Sequence, residues 1–156
     1  MRSGEILENY SMETCCTVNQ ESSTPVCPRN QVKGKRVESM TVQAMVRDIS
    51  IINNHESFYV CESSNCPIAY YSEKTQIEEN MLRENIFAKH PNTATQLVCY
   101  CFQHSVADIQ TTPKQIINSI SSYVKAKQCA CQFRNPKGKC CLGDVVKVAK
   151  ASQSLS

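Results

Sequence analysis

Tryptophan is absent from this 156-residue chain, and its other aromatics are only four Phe and six Tyr. The 41% hydrophobic share includes the 11 cysteines. Without them little remains to build a core, so cross-links or bound metal are expected to replace the missing burial. No apolar run approaches the roughly 18 residues that a membrane helix needs; the longest informative one is LVCYCF at 97–102. The opening MRSGEILENYSM carries two glutamates and no apolar stretch, which predicts no secretory signal and a reducing, cytoplasmic location. Histidines number three, and there is no P-loop, G-x-G-x-x-G or Ser-His-Asp arrangement. A conventional hydrolytic or nucleotide-dependent enzyme is therefore not expected. Lys and Arg are scattered without interleaved aromatics, which argues against nucleic acid.

What the chain has is thiol. An odd number of cysteines in a reducing compartment argues for metal ligation over a closed disulfide framework. The cysteines fall into two groups. Cys15, Cys16, Cys27, Cys61 and Cys66 come first; Cys99, Cys101, Cys129, Cys131, Cys140 and Cys141 follow after a cysteine-free stretch at 67–98. The HPN at 90–92 reads as a loop and sets a boundary near residue 92, giving modules at 13–92 and 93–150. Residues 1–12 and 151–156 read as disordered polar ends.

The first module reads as short strands around a metal knuckle. SFYVC at 57–61 and PIAYY at 67–71 are aromatic and β-branched and flank the polar turn ESSN, while TVQAMVRDI at 41–49 is compatible with a short helix. The second module reads as helical. Ser105 and Asp108 form a capping box, and Thr112, Pro113 and Gln115 repeat the device. Ile116, Ile117, Ile120, Tyr123 and Val124 share one helical face, and Leu142, Val145, Val146 and Ala149 make another; both stripes read as core. His55 and His90 read as surface residues without partners. His104 has no second histidine at matching spacing to act with as a metal ligand.

In the second module C-x-C at 99–101, C-x-C at 129–131 and CC at 140–141 offer six thiols to one site. Four suffice for a [2Fe–2S] cluster, and zinc would accept four equally well, so spacing alone does not choose the metal. In the first module VCESSNC gives a C-x4-C knuckle, a reasonable zinc spacing that needs two further ligands.

CYCFQHSVADI followed by CACQFRNPKGKCCLGDV resembles the cluster domain of the CopZ-type copper-chaperone family, which is related to the all-helical bacterioferritin-associated ferredoxin. The resemblance implies a [2Fe–2S] cluster on Cys99, Cys101, Cys131 and Cys141, with Cys129 and Cys140 as spare thiols. CPRNQVKGKRVESMTVQAMV at 27–46 resembles the opening of the family's zinc module, where a C-P-x-C clip starts the chain; here Asn30 stands at the second clip position. That implies structural zinc on Cys27, Cys61, Cys66 and one of Cys15 and Cys16, with Cys16 favoured. The expected fold is α+β: a zinc-knuckle module followed by an all-helical [2Fe–2S] domain. With eight cysteines as thiolates holding one Zn²⁺ and one oxidised cluster core, the formal +3 becomes about −1, so the apparent basicity is no argument for nucleic acid. The M-x-C-x-x-C copper loop of full CopZ chaperones does not occur in the sequence. The expected function is one-electron transfer in copper handling, reducing Cu(II) to Cu(I) for a separate chaperone or copper-transporting ATPase, with an independent redox donor. The competing readings are an iron-release partner for a ferritin-type store and a structural double-zinc interaction module.

Overall fold

The structure, a computed structural model, describes residues 25–53 and 55–155; Cys15, Cys16 and the expected disordered segment 1–12 lie outside the described residues. Four short strands form an antiparallel sheet in chain order: β1 (Lys35–Val37), β2 (Phe58–Val60), β3 (Ile68–Tyr71) and β4 (Gln76–Glu78). The aromatic, β-branched runs pair across the polar turn as expected, with Tyr59 opposite Tyr71 and Val60 opposite Tyr70. All four residues of β3 are buried because the strand is covered on both sides. Ala69 and Tyr70 belong to a core with Val37, Val42, Met45, Phe58 and Ile77. Ile68 and Tyr71 pack instead with Cys27, Cys61 and Cys66.

Helix α1 (Ser39–Met45) lays Val42 and Met45 into that first core. It ends before the expected 41–49 segment does. Val46 leaves the helix to bridge Leu82, and the Asp48 carboxylate accepts from the Ser50 N–H, a local bond that competes with helix continuation.

The second half is not all-helical, which corrects the expectation. Strands β5 (Leu97–Cys99) and β6 (His104–Ser105) form a small hairpin, so the first C-x-C straddles a strand end. Four helices follow: α2 (Val106–Thr111), α3 (Pro113–Lys125), α4 (Cys131–Arg134) and α5 (Leu142–Leu155). The Ser105–Asp108 capping box is present in both directions. Thr112 occupies the N-cap of α3 with Pro113 behind it, but its side chain makes no capping bond, so the second expected box is not formed. Ile116 and Ile120 from α3, with Val145, Val148 and Ala149 from α5, make the second core. The apolar stripe of α5 thus buries Val148 in preference to the expected Val146. Helix α5 continues through residues 151–155, which corrects the disordered end expected there.

Two cross-chain bonds close the seam between the halves. Buried Thr41 on α1 donates its hydroxyl to the Gln132 carbonyl on α4, at 2.7 Å, and buried Tyr70 on β3 donates to the Pro136 carbonyl. Burial pushes the Tyr70 hydroxyl pKa up, so it stays a donor. Residues 86–88 are shared: Ile86 and Ala88 face the first core and Phe87 the second. No helix among the described residues is long and apolar enough to cross a membrane.

Gly138 makes this seam possible. Its φ is +72°, and a Cβ built there would lie 2.7 Å from Thr41 Oγ1. Gly138→Ala is expected to destabilise the metal-loaded protein by about 1–2 kcal/mol from the left-handed backbone alone, with the Thr41 clash adding to it. The check is the urea midpoint of wild type against G138A; an unchanged midpoint would contradict the close approach.

Candidate metal centres

The first centre lies at one edge of the sheet. Cys61 follows β2 and Cys66 precedes β3, so the polar turn between them folds both thiols to one side. Cys27 arrives from a tight turn in which its N–H donates to the Val32 carbonyl and its carbonyl accepts from Gln31. All three are buried, their sulfurs lie within 4.8 Å of one another, and Cys27 Sγ is 3.7 Å from Cys66 Sγ. With zinc–sulfur bonds near 2.3 Å, the edge of a tetrahedron is about 3.8 Å. Three corners of a tetrahedral thiolate site are thus formed, and the donor set fits zinc.

Asn30, where the clip would have a second cysteine, accepts the Val32 N–H on Oδ1 and points Nδ2 at Cys61 Sγ, 3.7 Å away. It faces the centre as a hydrogen-bond donor. The remaining expected ligand, Cys15 or Cys16, falls outside the described residues.

Sequence reasoning missed Lys89. Its side chain is buried and donates to the Ser63 carbonyl at 2.8 Å and the Cys66 carbonyl at 2.7 Å, both on the knuckle loop. A lysine in a charged stretch carries no sequence sign of burial. Burial pushes the Cys61 thiol up, but the Ser63 backbone donor and the Lys89 ammonium outweigh it and leave its pKa lowered. Cys66 is held high, chiefly by burial.

The second centre gathers thiols from three elements: the β5 hairpin, the start of α4 and the residue ahead of α5. Cys99, Cys131 and Cys141 are buried and Cys101 half-buried. Cys101 Sγ lies 3.5 Å from Cys131 Sγ, and Cys141 lies close enough to Cys131 and Cys99 to shift both of their pKa values. A turn between them brings Cys131 and Cys141 together: the Asn135 carbonyl accepts from Gly138 N–H at 2.7 Å, and the Asn135 side-chain amide donates to the Lys139 carbonyl at 2.8 Å. The direction of the pKa shift alternates along the row. The Cys141 thiol holds Cys131 down, to about 6, against the opposing effect of burial. It also lowers Cys99, while Cys141 itself is raised as the donor to Cys131 and Cys99. Burial pushes Cys101 up to about 12.

The spare thiols differ from each other. Cys140 is exposed and Cys129 is half-buried, hydrogen-bonded to Cys131. His104 is half-buried on β6. His90 has a partner after all: its Nε2 lies 2.9 and 3.0 Å from the two Glu79 carboxylate oxygens.

With this geometry in view, comparisons with known proteins are informative. The zf_CopZ family model, a zinc-binding domain, matches residues 24–83, the segment that holds Cys27, Cys61 and Cys66. The chain is 26% identical over 124 residues to the copper chaperone CopZ of Archaeoglobus fulgidus. This chain carries a CopZ-type N-terminal region. The crystal structure of the Archaeoglobus fulgidus CopZ N-terminal domain shares its fold, with a TM-score of 0.64 at 23% identity over 80% of this chain and 97% of that one. The CopZ match covers 74% of this chain and spans 57% of the relative's own length. The first module is accordingly a CopZ-like, zinc-binding, copper-chaperone-related domain, and the buried cysteine trio, a group able to hold a metal ion, lies within the matched segment.

Cys61→Ser is expected to reduce zinc from about one per chain to a small fraction, because it removes one corner of a closed thiolate site. Cys140→Ser, altering an exposed thiol, should leave zinc unchanged. Metal analysis of the purified variants decides it; equal zinc in C61S and wild type would contradict the assignment.

Proposed function

We propose that the protein binds a [2Fe–2S] cluster as well as zinc and works as a one-electron redox protein in copper handling, reducing Cu(II) to Cu(I). The observation that carries the reading is the shape of the second thiol set. A single tetrahedral ion needs every sulfur–sulfur edge near 3.8 Å. The trio's sulfurs all lie within 4.8 Å of one another with one edge at 3.7 Å, whereas among the described residues no three of Cys99, Cys101, Cys131 and Cys141 gather that closely. They form an open row linked pair by pair, which suits a two-iron group carrying two thiolates per iron. The same contrast speaks against the double-zinc reading.

The chain's residues would serve that group in definite ways. Cys99, Cys131 and Cys141 hold its buried side, and Cys101 its more exposed edge. The Ala130 N–H, already donating to Cys101 Sγ at 3.2 Å, stabilises thiolate charge there. A bound cluster supplies electrons one at a time, and each Cu(II) takes one, drawn from a separate redox donor. The name of the longer relative, a copper chaperone, supports copper as the metal served. The partners on this reading are a separate chaperone or copper-transporting ATPase in the cytoplasm, which would receive Cu(I) as a soft, thiolate-preferring ion.

Purified anaerobically, the protein should contain iron and sulfide and give a reduced-state EPR signal; zinc at both centres without sulfide would refute the cluster. Cys141→Ser should abolish the signal while Cys140→Ser retains most of it, since Cys141 is 2% exposed inside the row and Cys140 faces solvent. Stopped-flow mixing of reduced protein with chelated Cu(II) should yield one Cu(I), captured by a colorimetric chelator, per cluster reoxidised. Bleaching in step with copper addition would mean damage, and would favour the iron-release reading.

A further inference from the structure

Lys89 is a buried cation with no anion beside it. It is 4% exposed, and the ion pairs among the described residues join Arg29 to Glu78, Lys35 to Glu62, His90 to Glu79 and Lys137 to Asp144, none of them involving Lys89. Its partners are two neutral carbonyls, of Ser63 and Cys66, which bracket the knuckle loop. Two carbonyl dipoles do not offset the loss of water around a full charge, and buried lysines are rare unless paired. Among the described residues, the charge that Lys89 does act on is the Cys61 thiol of the trio. Three thiolates and one Zn²⁺ leave a net charge of −1, and a fourth thiolate leaves −2; an ammonium reduces either.

We propose that Lys89 is the counter-cation of the Cys27–Cys61–Cys66 metal centre, a positioning residue that offsets the excess thiolate charge while holding the loop from Ser63 to Cys66 by two hydrogen bonds. The proposal rests on the zinc assignment and assigns a role that the ligand set alone does not contain. It also explains why a lysine, otherwise costly in this position, is folded inward from the Phe87–Lys89 turn. Residues outside the ligand shell that support a metal site typically change its affinity 10–100-fold when lost.

The test is zinc competition against a chromophoric chelator on the full chain, comparing wild type with Lys89→Gln, Lys89→Met and Ile77→Val. Glutamine keeps an N–H donor for the carbonyls but no charge; methionine keeps length alone. Ile77→Val trims a fully buried residue of the first core and reports what general destabilisation does to zinc affinity. Both Lys89 variants are expected to bind zinc about tenfold or more weakly than wild type, and more weakly than I77V. If K89M does not fold, K89Q decides. K89Q at wild-type affinity, or no weaker than I77V, would overturn the proposal, because hydrogen bonding or general stability would then account for Lys89. A zinc content that is the same in wild type and C61S would instead overturn the zinc assignment, which separates the two failures.

Discussion

Sulfurs brought within 3.5–3.7 Å of one another cannot all be thiolates in the absence of a cation. Two unit charges at that separation repel by about 4 kcal/mol even at an effective dielectric constant of 20. Each centre therefore either retains protons or binds metal, and metal binding must displace those protons. Along the second row Cys131 is held low while Cys101 and Cys141 are held high. Much of the remaining structure serves to hold thiols that would otherwise move apart: a hairpin for Cys61 and Cys66, a tight turn for Cys27, and helix starts at Cys131 and after Cys141.

The two halves share more than a linker. Tyr70 and Thr41 reach from the sheet and α1 to carbonyls of the segment between Cys131 and Cys141, and Tyr100, between the two cysteines of the first C-x-C, accepts the Phe87 N–H and donates to the Asn85 carbonyl. A buried carbonyl that loses its donor costs about 1–3 kcal/mol. These hydrogen bonds run across the position, near residue 92, where the sequence suggests a module boundary.

Local signals were read correctly where local physics decides. The paired strands follow from aromatic and β-branched residues, and the start of α2 from Ser105 and Asp108. Failures came where a distant partner decides. Thr112 looks like a capping residue, but its hydroxyl does not bond the helix. The β5–β6 hairpin is hidden because its strands are only three and two residues long. Lys89 and His90 look like ordinary charged-loop residues until Ser63, Cys66 and Glu79 are placed beside them. Asn30, by contrast, was visible as a departure in the clip, and its amide does face the thiolates.

The Tyr70–Pro136 and Thr41–Gln132 bonds span 66 and 91 residues, and this has a consequence for synthesis on the ribosome. The chain emerges from its N-terminus, so the residues of the trio are all available while the second set is still being made. Lys89 follows 23 residues after Cys66, early enough to close the knuckle loop from behind. The seam must wait for Gln132 and Pro136, which emerge later. Until then α1 and β3 present unfilled donors and apolar surface to solvent. The nascent protein thus passes through a stage in which the trio's cysteines have all been made while the partners of Thr41 and Tyr70 have not.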